Sequence, residues 1–141
     1  MPSRHSAAAW EGTLRDGTGT FVIGEAYHAG EMSFVARFED EAGESAKTNP
    51  EELIAAAHAS CFSMALAADI ERAGYEPERV DTTATVTLED LEIKTIALAT
   101  EVAAAGLEDD ELQELAEGAK ENCPVSKALT GPEITLEATL V

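Results

Sequence analysis

The pattern of hydrophobic and polar positions predicts short strands on both sides of one long apolar helix. In the first third of the chain, glycine turns interrupt the apolar positions and bound three strands, around Ala8–Leu14, Gly19–Ile23 and Ser33–Phe38. The polar segment EDEAGESAKT, residues 39–48, follows and predicts a loop. The first third is therefore expected to be β-structure that ends in a loop.

A helix start follows this loop. Asn49, or Thr48 if the boundary shifts by one, is suited to cap it. The next three residues, PEE, place a proline at the first helical position and two carboxylates near the positive end of the dipole. Over residues 53–68 apolar side chains occupy almost every face, so we expect a central, buried helix. Cys61 would lie about three turns into it.

The second half of the chain alternates strands and helices. A strand over residues 80–88 has one wet face, and the segment LEDLE, residues 88–92, predicts a hairpin to a strand over 93–104 with a change of phase. An amphipathic helix over 107–121, a short helix from Cys123 to Leu129 and a closing strand near 134–140 follow. This order predicts an α+β fold in which the long helix packs on a mostly antiparallel sheet.

Length and composition predict one domain over residues 1–141 that favours oligomerisation. The chain has 141 residues, of which 45% are hydrophobic and only 5% aromatic. Alanine fills many apolar positions, so a lone subunit would bury a modest apolar area.

The charge of the chain is strongly negative. Its formal net charge is −19, from 28 acidic and 9 basic residues. Such self-repulsion destabilises a compact state at ordinary salt and is screened by concentrated salt, which is typical of a halophilic cytoplasm. An ordinary acidic protein is the alternative. The Lys and Arg clusters that nucleic acids and anionic membranes require are absent, so neither is an expected partner.

The two cysteines point to redox chemistry. The first residues, MPSRHSAAAWEG, hold no run of signal-peptide length, and no window approaches the ~18 apolar residues of a spanning helix, so a cytoplasmic location is expected. In a reducing cytosol, Cys61 and Cys123 favour a catalytic or redox role over a structural disulfide. With no CxxC and three histidines, a metal site is not expected.

The candidate thiols have different surroundings along the chain. Cys123 begins a helix, where the dipole favours a thiolate, whereas Cys61 needs a counter-charge from elsewhere. Arg37 interrupts the apolar run FVARF, and its guanidinium must face water or a buried anion. With Glu51 or Glu52, it would complete a triad of thiolate, guanidinium and carboxylate. The alternative is an Arg37 on the wet face of an edge strand.

Two other functions remain open from the residues alone. His58 lies one turn before Cys61 and would be either the base of a Cys–His hydrolase or a hydrogen-bonded core group, and we favour the core group. The dithiol also suits a non-enzymatic redox sensor or binding protein. The absence of a basic DNA-reading element argues against a transcriptional sensor.

Two longer motifs carry a resemblance to a known family. TNPEELIAAAHASCFSMAL, residues 48–66, and NCPVSKAL, residues 122–129, resemble the osmotically induced protein C and organic hydroperoxide resistance (OsmC/Ohr) family, as do WEG near the N-terminus and RFE. The resemblance covers nearly the whole chain, and two cysteine motifs in the right order make it specific. It implies an OsmC/Ohr-like fold and an intertwined homodimer with active sites at the subunit interface.

The resemblance also implies roles for individual residues in a cofactor-free, thiol-dependent peroxidase. Cys61 would be the peroxidatic cysteine, Cys123 the resolving cysteine, and Glu51 the partner of the catalytic arginine. A hydroperoxide would convert Cys61 to a sulfenic acid, and a Cys61–Cys123 disulfide would follow. The reductant would be a dithiol, either a small thiol or a lipoylated protein.

The catalytic arginine and the substrate complete the expected site. Arg37, in RF, matches the branch with this helix motif, whereas Arg15, in RDG, matches the hydroperoxide-resistance branch. The helix motif and His58 favour Arg37. Alanines at positions 55, 56, 57 and 59 keep the helix slim and would let an apolar tail approach, so we expect organic hydroperoxides to be preferred over hydrogen peroxide.

Overall fold

The computed structural model describes residues 2–25, 28–40 and 46–141. This chain divides into two compact units, one ending at Leu53 and one beginning at Ile54. Part of the polar loop expected at residues 39–48 falls on 41–45, which lie outside the described residues.

The first unit contains a three-stranded antiparallel sheet in the order β1-β2-β3, formed by β1 (Ser6–Glu11), β2 (Thr18–Ile23) and β3 (His28–Met32). Trp10 of β1 lies opposite Gly19 of β2. A Cβ at position 19 would come within 2.7 Å of the Trp10 ring, so only glycine lets the indole lie flat on the neighbouring strand.

The third strand predicted from the sequence, Ser33–Phe38, is wrong. These residues form a short helix, α1 (Phe34–Phe38), and Ser33 is its N-cap, whose Oγ accepts a hydrogen bond of 3.1 Å from the N–H of Ala36. A short apolar run does not distinguish strand from helix by periodicity, and here the serine cap decides for the helix. Arg37 is therefore a helical residue and does not belong to an edge strand.

The long helix begins where the sequence predicted. It is α2 (Pro50–Arg72), and Asn49 caps it by accepting a 2.8 Å hydrogen bond from the N–H of Glu52. The Asn49 amide also donates to the carbonyl of Ala36 at 2.9 Å. One buried side chain thus fixes both the start of α2 and the position of α1, and it does so beside Glu51.

The second unit contains a separate three-stranded sheet in the order β4-β5-β6, formed by β4 (Arg79–Glu89), β5 (Glu92–Ala103) and β6 (Glu133–Leu140). The predicted hairpin is confirmed: Asp90 and Leu91, with φ of 52° and 60°, connect β4 to β5 as a two-residue turn. The expected irregularity falls between Thr87 and Leu88, where the register shifts.

Strand β6 pairs with β5 in parallel, the only parallel pair of named strands in the described part of the chain. The connection between them contains α3 (Asp109–Asn122) and α4 (Pro124–Ala128). A parallel pair needs a crossover of this length, and here the crossover carries Cys123 between its two helices. The expected antiparallel-dominated α+β architecture is confirmed, although the strands form two sheets instead of one.

Helix α2 is buried along one row of side chains within the second unit. His58, Phe62, Leu66 and Ile70, spaced four residues apart, are fully buried, whereas Met64 is 74% exposed. The apolar members of this row join a core that includes side chains of β5 and α3, among them Ile96, Leu98, Val102, Leu112, Ala116 and Ala119. The sequence predicted a helix buried on every face. In the single chain only this row of the helix is fully buried within the second unit.

The expectation that no segment approaches the length of a membrane span is also corrected. With 23 residues, α2 is long and apolar enough to cross a membrane by length and composition. Core helices of globular proteins meet the same criterion. The buried row of α2 packs in a core, which agrees with a core helix of a globular protein.

Candidate active site

The two cysteines meet at the junction of α2 with the segment between α3 and α4. Both are free thiols; Cys61 is half-buried on α2, and Cys123 is fully buried. Cys123 ends α3, with its N–H donating to the carbonyl of Ala119 at 2.9 Å, and it also precedes Pro124 at the start of α4. The Cys61 side chain packs against the buried cluster that contains Cys123, and the two thiols are close enough to shift each other's pKa.

The surroundings of the two sulfur atoms shift their pKa values in opposite directions. Burial raises the pKa of the Cys61 thiol, and its hydrogen bond to Cys123 raises it further. Burial also opposes ionisation of Cys123, but hydrogen bonds from the N–H of Ser126, the Cys61 thiol, the Ser126 hydroxyl and the N–H of Val125 hold the Cys123 pKa below its ordinary value. Of the two thiols, Cys123 is therefore the more acidic, as its position at a helix start predicted.

His58 takes part in this site through a serine. The imidazole is fully buried, and its Nε2 lies 2.7 Å from the Ser126 hydroxyl. Burial lowers the pKa of His58, so the ring is neutral at physiological pH. The hydrogen bond that the structure gives His58 is to Ser126 and not to Cys61, and its Nδ1 has no partner among the described residues. The expected hydrogen-bonded core group is therefore found at one nitrogen only.

In the first unit, Arg37 and Glu51 form a bidentate ion pair. Arg37 Nη2 donates to Glu51 Oε1 at 2.8 Å, and Arg37 Nε lies 3.2 Å from both carboxylate oxygens. The Glu51 side chain is 11% exposed and that of Arg37 is 37% exposed. The buried carboxylate thus fixes a guanidinium that still reaches the surface of the unit, because α1 and the first turn of α2 bring the two together.

The competing arginine, Arg15, has a looser environment. Its guanidinium is 3.7 Å from the Glu39 carboxylate, and both side chains are more than half exposed. It also lies 4.6 Å from the centroid of the Phe34 ring. An exposed ion pair of this length holds its members weakly, so of the two candidate arginines Arg37 is the one in a fixed position.

An apolar cavity of about 140 Å³ lies beside Arg37 in the first unit. Its walls are mainly aromatic and aliphatic, from Trp10, Leu14, Met32, Phe34, Phe38 and Pro50. The guanidinium carbon of Arg37 is 5.1 Å from the centroid of the Phe38 ring. The cavity therefore combines an apolar wall with one cation, a combination that suits a ligand with an apolar tail and an anionic oxygen.

The structure thus brings the predicted site residues together as two pairs, Cys61 with Cys123 and Arg37 with Glu51, each within its own unit. The sequence interpretation missed Ser126, although the spacing CPVS places its N–H three residues after a helix-starting cysteine. It also missed the apolar cavity, whose lining comes from distant segments. No group of three or more His, Cys, Asp or Glu side chains suited to a metal ion occurs in the described residues.

Contacting free thiols within an α+β fold place the chain in the class of dithiol proteins. The profile of the family described as OsmC-like protein matches residues 42–137. The chain is 43% identical over 138 residues to peroxiredoxin OsmC of Escherichia coli strain K12, covering 94% of this chain and 93% of that protein. It belongs to the OsmC-like protein family.

Solved structures agree with this assignment. An OsmC-like protein of unknown function from Vibrio cholerae shares the fold, with a TM-score of 0.77, 17% identity and coverage of 98% of this chain and 99% of that one. The organic hydroperoxide resistance protein OhrB of Bacillus subtilis is 26% identical, with a TM-score of 0.67 and coverage of 96% and 98%. The predicted OsmC/Ohr-like fold is confirmed.

We expect the Arg37–Glu51 pair to couple measurably in a double-mutant cycle. With variants Arg37→Met, Glu51→Gln and the double variant, urea unfolding should give a coupling energy of about 1–2 kcal/mol, because one partner is nearly buried and the other partly screened. The matched cycle of Arg15→Met and Glu39→Gln should give about 0.5 kcal/mol or less. Equal coupling in the two cycles would contradict the special position of Arg37.

Proposed function

We propose that this protein is a thiol-dependent peroxidase that reduces organic hydroperoxides, with Cys61 as the peroxidatic and Cys123 as the resolving cysteine. The observation that carries the proposal is the contact between the two free thiols, since a pair that forms a disulfide must lie close together in the fold. The identity of 43% with a peroxiredoxin over nearly the full chain supports it.

The first step is the attack of Cys61 on the peroxide. Cys61 loses its proton to solvent, and the thiolate attacks the terminal oxygen of the hydroperoxide. The S–O bond forms as the O–O bond breaks, which leaves a sulfenic acid on Cys61 and an alkoxide that takes up a proton. Cys61 is half-buried and reachable, whereas Cys123 is fully buried, so accessibility favours Cys61 as the first thiol to react.

We assign Arg37 to the same reaction as the fixed cation, with Glu51 as the residue that holds it. A guanidinium stabilises both the thiolate and the negative charge that develops on the departing oxygen. The bidentate geometry supports this role, because a cation already fixed in position needs no reorganisation during the reaction. The apolar cavity beside Arg37 would take the organic part of the substrate.

The resolving step and the return to the dithiol complete the cycle. Cys123 condenses with the sulfenic acid to give the Cys61–Cys123 disulfide and water, and a dithiol, either a small thiol or a lipoylated protein, reduces that disulfide. No cofactor enters this scheme. We propose that the two units work as one domain, residues 1–141, in a cytoplasmic homodimer in which two copies complete the sites.

The alternative functions receive less support. A Cys61–His58 hydrolase needs the imidazole on the Cys61 thiol, and the hydrogen bond of His58 is to Ser126. A redox sensor that oxidises once and stops would use the same dithiol. Sustained turnover with a dithiol present separates the enzyme from the sensor.

The first prediction from the proposed function concerns the roles of the cysteines and the arginine. Cys61→Ser should abolish hydroperoxide consumption, whereas Cys123→Ser should consume about one equivalent to form the Cys61 sulfenic acid and, in excess hydroperoxide, a second equivalent to form the sulfinic acid. Arg37→Met should lower kcat/KM by about 10²–10³-fold, the usual effect of removing one group that stabilises a developing oxyanion. Arg15→Met is the matched control and should change it little. A Cys61→Ser protein that still turned over hydroperoxide would refute the mechanism.

The second prediction concerns the substrate. We expect kcat/KM to be at least about tenfold higher for cumene hydroperoxide than for hydrogen peroxide, because each buried CH₂ group is worth about 0.8 kcal/mol. Leu14→Asp, in the wall of the cavity, should lower the value for cumene hydroperoxide selectively. Leu91→Asp, on the exposed β4–β5 turn, is its control. Equal efficiencies for both peroxides in the unmodified protein would remove the assigned preference.

The third prediction concerns salt, since we propose that the protein works in a salt-rich cytoplasm. A net charge of −19 on 141 residues repels itself most at low ionic strength. The free energy of unfolding should therefore rise when potassium chloride increases from about 0.1 M to 1 M, over which the Debye length falls from ~10 Å to ~3 Å. A constant or falling stability over this range would contradict a halophilic origin of the charge.

A further inference from the structure

The buried pair of His58 and Ser126 has no role in the scheme above. His58 is fully buried and Ser126 is 7% exposed, and the imidazole Nε2 and the hydroxyl oxygen are 2.7 Å apart. His58 belongs to the apolar buried row of α2, one turn before Phe62. Burying its polar ring costs hydration free energy that an aliphatic side chain would not lose. Its hydrogen bond is to the Ser126 hydroxyl, which also lowers the pKa of Cys123.

The tautomer of His58 follows from its other nitrogen. Nδ1 is buried and has no partner among the described residues. A proton on Nδ1 would leave a buried donor unpaired, which costs more than an unfilled acceptor lone pair on a neutral ring. The proton therefore belongs on Nε2, which donates it to the Ser126 oxygen.

This tautomer orients the serine hydroxyl. With its oxygen accepting from His58, the Ser126 hydroxyl is free to donate its own proton towards Cys123, which lies three residues earlier at the start of α4, and a hydrogen bond from this side chain lowers the pKa of Cys123. With the opposite tautomer the hydroxyl proton would be directed to the ring, and Cys123 would lose this donor.

We infer that His58 and Ser126 are positioning residues that hold the resolving Cys123 as a thiolate ready to attack the oxidised Cys61. The inference rests on the proposed peroxidase cycle. It gives the two groups of residues separate tasks: Arg37 and Glu51 serve the attack on the peroxide, and His58, Ser126 and Cys123 serve the formation of the disulfide.

The resolving step replaces the S–O bond of Cys61 with an S–S bond. The Cys123 thiolate attacks the sulfur of the Cys61 sulfenic acid, the S–S bond forms, and the S–O bond breaks. Hydroxide leaves and takes a proton from solvent to become water. The electron pair for the new bond comes from Cys123, so the hydrogen bonds from Ser126 must weaken as the disulfide forms, and His58 stays neutral throughout.

Among the described residues, the titratable groups that interact with Cys123 are Cys61, directly, and His58, through Ser126. A titration of Cys123 by ultraviolet thiolate absorbance is therefore cleanest in a Cys61→Ala background, which also removes the peroxidase reaction. In that background Ser126→Ala and His58→Leu should each raise the Cys123 pKa by about one pH unit. This shift corresponds to about tenfold less thiolate at pH values below the pKa.

Two further variants separate positioning from packing. His58→Gln should restore the value, because its amide N–H can take the place of Nε2–H, whereas His58→Leu fills the space without a donor. Ser60→Ala is the matched control, since it removes an exposed hydroxyl on α2 that bonds only the Ala56 carbonyl. In the active protein, excess hydroperoxide should drive the Ser126→Ala variant to sulfinic acid at Cys61 where the unmodified protein forms disulfide.

The unmodified protein supplies a test that needs no variant to fold. Nitrogen-15 spectra of the His58 ring should show a neutral imidazole with its proton on Nε2, and a proton on Nδ1 would overturn the inference. An unchanged Cys123 pKa in a folded Ser126→Ala variant would overturn it too. These results are independent of turnover, whereas an inactive unmodified protein would instead refute the proposed peroxidase.

Discussion

The contact between Cys61 and Cys123 is the interaction on which the proposed chemistry of this protein depends. It exists because α2 and the crossover from β5 to β6 meet where α3 ends and α4 begins. Hydrogen-bond donors at the start of α4 outweigh the burial of Cys123 and lower its pKa, whereas burial raises the pKa of Cys61. In the proposed cycle the two thiols lose two electrons together, since Cys61 reacts with the oxidant and Cys123 then attacks the oxidised sulfur.

A second constraint governs the first unit. Asn49 caps α2 and also bonds α1, and the helix start that it defines carries Glu51, which holds Arg37. The capped start of α2 thus holds the Arg37 guanidinium in a fixed position beside the apolar cavity, without a large core around it. The chain places positive charge sparingly, with 9 basic residues against 28 acidic ones, so a fixed arginine acts against a strongly negative background.

Much of this was predictable from the sequence, for identifiable physical reasons. The cap at Asn49, the β4–β5 hairpin and the alternating strand β6 have local signals, and the structure has all three. The run FVARF was predicted as a strand because four apolar residues and one arginine are too few to show a helical period, and the Ser33 cap favours the helix. The parallel pairing of β5 with β6 and the bond from His58 to Ser126 join residues far apart in sequence, which no local pattern encodes.

The most direct test of the central claim follows free thiols and intact mass when the reduced protein meets a few equivalents of an organic hydroperoxide in high salt, with and without a dithiol. The account predicts loss of both thiols and of two hydrogens in mass, reversal by the dithiol, and continued hydroperoxide consumption while dithiol remains. Two unreactive thiols in a folded protein would contradict it, and Cys61 would then be a packing residue of α2.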